Sequence, residues 1–83
     1  MDEIRRFEAC YAQYGAMLFR LALNQVGTKE AAEDIVQDVF LKRMGHREFR
    51  DAEHEKHWLI RVTVNACHSF WRKEGRRREV SLA

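Results

Sequence analysis

The chain has 83 residues, with 15 Lys plus Arg against 13 Asp plus Glu and a formal net charge of +2. That length allows one domain with one modest core and leaves too little chain for a deep enzyme cleft. No apolar run approaches the roughly 20 residues that a membrane span needs, so no membrane insertion is expected.

The near-neutral total hides a split. Residues 28–38 set Lys29 against Glu30, Glu33, Asp34 and Asp38, whereas residues 61–78 set Arg61, Arg72, Lys73, Arg76, Arg77 and Arg78 against Glu74. Such asymmetry implies two different partners, and the basic end suits a polyanion. Cys10 and Cys67 form no CxxC pair, and the start MDEIRR is charged rather than apolar. Reduced thiols in a cytoplasmic protein are the expectation.

There is no proline, so the four glycines carry most of the punctuation. A first helix is predicted from about Asp2 to Val26, because Ile4, Phe7, Tyr11, Tyr14, Leu18, Leu21 and Ala22 recur at spacings of three and four. Gly15 falls inside that pattern at a cost of about 1 kcal/mol relative to alanine, and a close helix crossing would account for it. Gly27 and then Thr28, a good N-cap with Glu30 in the following turn, open a second helix from about Lys29 to Met44. Ala32, Ile35, Val36, Val39 and Phe40 form its apolar stripe. Arg43 intrudes near the end of that stripe, with its stem expected to snorkel outward. Gly45 can close the helix in the left-handed conformation. The polar loop HREFRDAE follows, with Phe49 as its one large apolar side chain. A third helix is predicted from about His54 to Lys73, and GRRREVSLA after it reads as the start of a linker. The expected fold is all-α, a compact three-helix domain over residues 1–74 with a short loop before the third helix and a linker over 75–83.

Two surfaces stand out. At roughly 100° per residue the stripe of the second helix centres near Ala32 and Val36. Leu41 lies almost opposite, among Glu30, Asp34, Gln37 and Asp38. A lone exposed leucine is common, and an apolar anchor ringed by polar groups is the form of a binding hot spot; periodicity fits both. The third helix shows two apolar stripes, Leu59, Val62, Thr63, Ala66, Phe70 and Ile60, Val64, Cys67, Trp71, as suits a helix wedged between two others. Its remaining face reads Trp58, Arg61, Asn65, His68, Arg72. Arg can bind phosphate, Asn can read a base edge and Trp can stack, so the row suits a nucleic acid strand. A solvated face with Trp58 at the edge of the core fits the same spacing.

Other chemistry is missing. His54 and His57 are three apart and His68 adjoins Cys67, but a zinc site needs further ligands at suitable spacing, which His46 and Cys10 would supply only by accident of folding. There is no glycine-rich phosphate loop, no GxSxG elbow and no carboxylate pair in a cleft. No metal, cofactor or catalytic residue is expected.

AEDIVQDVFLK followed by EFRDAEHEKHWLIRVTVNACHSFWRK resembles region 2 of bacterial sigma factors, in particular the extracytoplasmic-function (ECF) group. The likeness covers roughly residues 7 to 73. It implies a transcription initiation module. The second helix would dock on the clamp coiled coil of the beta-prime subunit of core RNA polymerase, with Asp34, Gln37, Asp38, Leu41 and Met44 at the matching positions. The third helix and its preceding loop would open and read the promoter −10 element on the non-template single strand. Phe49 matches the loop residue that helps form a pocket for a flipped base, and Trp58, Arg61 and Asn65 match the strand-binding side. His68 and Arg72 extend that face by helical spacing. The resemblance admits an anti-sigma factor as a further partner.

Two positions and one loop depart from the family pattern. Glu55 stands where an apolar residue is frequent three before the Trp, Ser69 stands where an acid is frequent, and the loop around Phe49 is strongly charged. A C-terminal region 4 domain, which reads the −35 element through a helix-turn-helix, would follow the linker, so the chain is expected to be a fragment. A competing reading is an all-α polymerase- or protein-interaction regulator that does not read DNA; a weaker one is a general basic single-strand binder. The third-helix row favours the first reading over the second, and the acidic face around Leu41 favours the first two over the third.

Overall fold

The computed structural model describes the backbone of residues 2–45 and 48–82, and the side chains of residues 4–45 and 48–75. It contains three helices, α1 (Asp2–Val26), α2 (Lys29–Gly45) and α3 (Ala52–Leu82), each packed against the other two. Among the described residues there is no strand. His46 and the side chains of Arg76, Arg77 and Arg78 lie outside the described residues.

Local chemistry sets the helix ends. Gly27 adopts φ 84° and its N–H donates to the Leu23 carbonyl at 2.8 Å, which closes α1 in the left-handed conformation that glycine takes without strain. Thr28 then caps α2, its Oγ1 accepting from the Ala31 N–H at 3.3 Å. Asp51 does the same for α3, accepting from the His54 N–H at 2.8 Å. The helix therefore starts two residues before the expected His54. It also continues past the expected end at Lys73, through Gly75 to Leu82. One glycine costs a helix only about 1 kcal/mol, and no proline follows to stop it.

The core is built on ridges of residues four apart. Cys10, Tyr14, Leu18, Ala22 and Val26 are the buried line of α1, and Leu59, Thr63 and Cys67 that of α3. Ala32, Ile35, Val36, Val39 and Phe40 of α2 fill the space between them, as their stripe predicts. The expected core needs correction in several places. Ile4 and Tyr11 are 61% and 52% exposed rather than core. A ridge at every fourth residue turns slowly around the helix, so a stripe counted in threes and fours strays off it toward the α1 N-terminus. Tyr11 still packs its ring on Phe40 with centroids 5.0 Å apart. On α3, the supposed pair of stripes is one fully buried ridge with half-buried flanks, Ile60 and Val64 on one side and Val62, Ala66 and Phe70 on the other. Thr63 is satisfied within that ridge by donating to the Leu59 carbonyl at 2.8 Å.

Trp71, expected in the core, is partly exposed; its Nε1–H donates to the Gln25 carbonyl at 2.7 Å and ties α3 to the last turn of α1. Gly15 is buried, but no neighbouring helix explains it. A Cβ there would stand 3.4 Å from the Tyr11 ring of the same helix, an ordinary van der Waals contact, so that ring does not require glycine either.

Burial pushes the Cys67 thiol above its ordinary range. It does the same for Cys10, where the Glu55 carboxylate adds to the rise and Arg43 opposes it, and for Tyr14, where Glu55 and Cys10 add to it. Groups with raised values keep their protons in the folded chain after the unfolded chain has lost them. Their contribution to stability is therefore complete below the ordinary thiol range and fades as pH rises above about 8.5. Urea midpoints should fall as pH is raised from about 8 toward 10.5, and fall less steeply for Cys67→Ala, which removes one such group. Midpoints that rise over this interval, or an unchanged slope for Cys67→Ala, would contradict the assignment.

Candidate functional site

The outer face of α2 carries Asp34, Gln37, Asp38, Leu41 and Met44, and all five are exposed, Leu41 to 64% and Met44 to 56%. They are outside because Ala32, Ile35, Val36, Val39 and Phe40 take the opposite side of the helix into the core. Lys29 approaches Glu33 at 3.9 Å, an exposed contact of little energy. Glu30, Asp34 and Asp38 keep the face acidic around two large apolar side chains.

On α3, Arg61, Asn65, His68 and Arg72 are exposed in one row, and Trp58 is half-buried at its N-terminal end. The helix period places them there once Leu59, Thr63 and Cys67 are buried. Arg72 leans back along the helix, its Nη2 donating to Ser69 Oγ at 3.0 Å. Trp58 packs on the core with part of its ring and meets Phe49 with another, the centroids 5.5 Å apart in an edge-to-face arrangement. The core-edge and strand-facing readings of this tryptophan are thus compatible. Phe49 also meets His54 at 5.3 Å. Trp58 and Arg61 line a hollow of about 360 Å³ with His54, His57 and Ile60. Phe49 borders a second one, of about 270 Å³, with Arg6, Arg43 and Glu55. The loop is thereby joined to the α3 row rather than standing apart from it.

Arg43 does not snorkel outward. It turns toward α3, where its Nε and Nη2 both donate to Oε2 of Glu55 at 3.0 and 2.6 Å, and the two side chains are only 16% and 19% exposed. The same guanidinium lies over the Phe49 ring, 4.8 Å from its centroid. A charge on the apolar stripe of α2 and a charge where the resembling family is often apolar are each anomalous alone. Together they form one shielded ion pair. Sequence spacing shows both misfits but not that the fold brings them together.

Among the described residues no group of three or more His, Cys, Asp or Glu could hold a metal ion, and no helix is long and apolar enough to cross a membrane.

Residues 10–77, most of the chain, match the profile of Sigma-70 region 2. The chain belongs to this family. It is similar to the ECF RNA polymerase sigma factor SigM of Bacillus subtilis (strain 168), at 30% identity over 73 residues, which is 88% of this chain and 44% of that protein. The chain thus spans less than half the length of the curated relative it matches. No solved structure matches it. The matched span contains α2, the loop and the α3 row together.

Loss of the shielded Glu55 and loss of the exposed Leu41 should differ sharply in their effect on stability. Glu55→Ala leaves Arg43 shielded from water without its acceptor and should cost about 1.5–3 kcal/mol, the range for hydrogen bonds to charged groups. Leu41→Ala removes a side chain that touches no core and should change stability by less than about 0.5 kcal/mol. Urea denaturation of the two variants checks this; equal losses would mean that one of the two environments is wrongly described.

Proposed function

We propose that this domain binds core RNA polymerase through the outer face of α2 and holds the promoter −10 element, as non-template single strand, on the α3 row and the Phe49 loop, in DNA-templated transcription initiation. It is a binding module rather than an enzyme, and it acts in the cytoplasm with the polymerase. The observation that carries this reading is the pair of outward faces on one small core. Leu41 and Met44 stand exposed among acids, and Arg61, Asn65, His68 and Arg72 stand exposed in line with an aromatic pair.

Each residue has a role that follows from its chemistry. Leu41 and Met44 supply apolar anchors, and Asp34, Gln37 and Asp38 a polar rim, for a basic helical partner such as the beta-prime clamp coiled coil. Arg61 and Arg72 carry charge to phosphates. The Asn65 amide offers one donor and one acceptor edge, which a base can match. Phe49 and Trp58 offer π faces and edges to an unstacked base. Single-strand contacts become available only when the duplex opens, so holding strand and melting it are one equilibrium. The domain range in this proposal is 1–74, and residues 75–83, which continue α3 as far as Leu82, lead toward a region 4 domain. An anti-sigma factor covering the α2 face would compete with the polymerase.

On the polymerase side, Leu41→Ala and Asp34→Arg should each weaken binding to a beta-prime coiled-coil fragment by about 1–3 kcal/mol, as expected of hot-spot positions. Calorimetric titration measures this, and normal binding by both folded variants would remove the assignment of α2.

On the strand side, the variants should separate by kind. Asn65→Ala and Phe49→Ala should narrow the difference in affinity among single-stranded oligonucleotides of differing sequence. Arg72→Ala should weaken all of them alike and flatten the salt dependence by about one phosphate contact. Fluorescence anisotropy over a salt series distinguishes the two patterns. A protein that binds the coiled coil but no oligonucleotide would instead be a regulator that does not read DNA.

A further inference from the structure

Phe49 lies in the connection between α2 and α3, where a side chain is free to sample many positions unless something holds it. Three described residues are among the groups that hold it. His54 and Trp58 meet its ring from α3, and the Arg43 guanidinium lies over it from α2. The two α3 residues are themselves anchored. His54 Nδ1 accepts from the Arg50 N–H at 3.1 Å, and Trp58 packs on the core. Arg43 is anchored by Glu55, one turn before Trp58 on α3. The chain of contacts therefore closes into a ring: Glu55 to Arg43, Arg43 to Phe49, Phe49 to Trp58, and Trp58 back to Glu55 through one helical turn.

We propose that Arg43, held by Glu55, is a positioning residue that fixes Phe49 against Trp58 and thereby sets how selectively the chain holds one single strand over another. This rests on the proposal that Phe49 and the α3 row hold a strand. Arg43 does not touch the base in this account. It limits where the Phe49 ring can go, so that a base entering beside Trp58 meets one surface rather than many. A planar guanidinium suits the task because its N–H edge can serve Glu55 while its face covers the ring. A lysine could answer Glu55 as a point charge but has no face to lay on Phe49.

That difference separates positioning from simple stabilisation. Four proteins are compared with the wild-type chain: Arg43→Lys, the swapped pair Arg43→Glu with Glu55→Arg, Phe49→Ala, and Phe49→Ala combined with Arg43→Lys. Two readouts are taken on each. One is the urea midpoint. The other is the ratio of dissociation constants between the tightest and weakest of a panel of equal-length single-stranded oligonucleotides. The Arg43→Lys and swapped proteins should keep most of the wild-type midpoint, since both retain an ion pair. Their selectivity ratio should nonetheless drop about two- to fivefold, the loss of one cation–π contact converted to an equilibrium ratio. Phe49→Ala should lower the ratio by itself, and adding Arg43→Lys should lower it no further. If the swapped pair restores the ratio together with the midpoint, or if Arg43→Lys lowers the ratio equally with and without Phe49, the positioning role is overturned. A ratio lowered by Phe49→Ala and untouched by Arg43→Lys overturns the positioning role alone. A ratio untouched by Phe49→Ala overturns the strand-holding reading and the inference with it.

Discussion

Everything on the outside of this domain depends on the one buried cluster to which Leu18, Phe40 and Leu59 belong. Each belongs to a different helix and each is essentially fully buried. Once those three are buried in one cluster, the rotation of every helix about its own axis is fixed, because a helix with 3.6 residues per turn can turn only one sector inward at a time. The α2 acids are outside because Val39 and Phe40 are inside. The α3 row is outside because Leu59, Thr63 and Cys67 are inside. A domain this small can present two chemically different faces because its core is narrow and its helices are nearly all surface.

The narrow core also explains the ion pair between Arg43 and Glu55. Shielding two charges from water in so small a protein is costly, and the pair is tolerated because one carboxylate oxygen receives two N–H groups in good geometry. Replacing both by apolar residues could serve stability equally well. What the pair adds is direction. It draws the end of α2 to the start of α3 across the intervening loop and leaves a flat cation over the loop's aromatic residue. Burial raises the thiol of Cys10, and the pair acts on it in both directions, Glu55 adding to the rise and Arg43 opposing it, so this shielded corner is coupled electrostatically to the α1 ridge.

Much of this was legible in the sequence, and the failures have physical causes. The C-terminal end of α1 and the start of α2 follow from Gly27 and Thr28, whose effects are local. Leu41 was visible as an exposed apolar residue because a five-residue stripe opposite it left no ambiguity of phase. The α3 row was visible for the same reason. Ile4 and Tyr11 were misplaced because a long helix lets a stripe drift away from the true contact line, and only the angle of the neighbouring helix settles where that line runs. The end of α3 was misjudged because a glycine weakens a helix without stopping it. Trp71 and Gln25, 46 residues apart, meet by a hydrogen bond that no local pattern encodes. Arg43 and Glu55 each broke a rule in isolation, and the two exceptions accounted for one another only when the fold was in view.

The central claim is that two partners use two faces of one rigid core at the same time. The most direct measurement is a backbone amide NMR titration of the chain with a beta-prime coiled-coil fragment, followed by a single-stranded oligonucleotide, and then in the reverse order. The account predicts that the fragment shifts amides around Asp34, Gln37, Asp38, Leu41 and Met44. The oligonucleotide should shift those around Phe49, Trp58, Arg61, Asn65 and His68, and each set should shift whichever ligand is added first. Overlapping sets, or an oligonucleotide that displaces the fragment, would show that the chain has one binding surface and contradict the account.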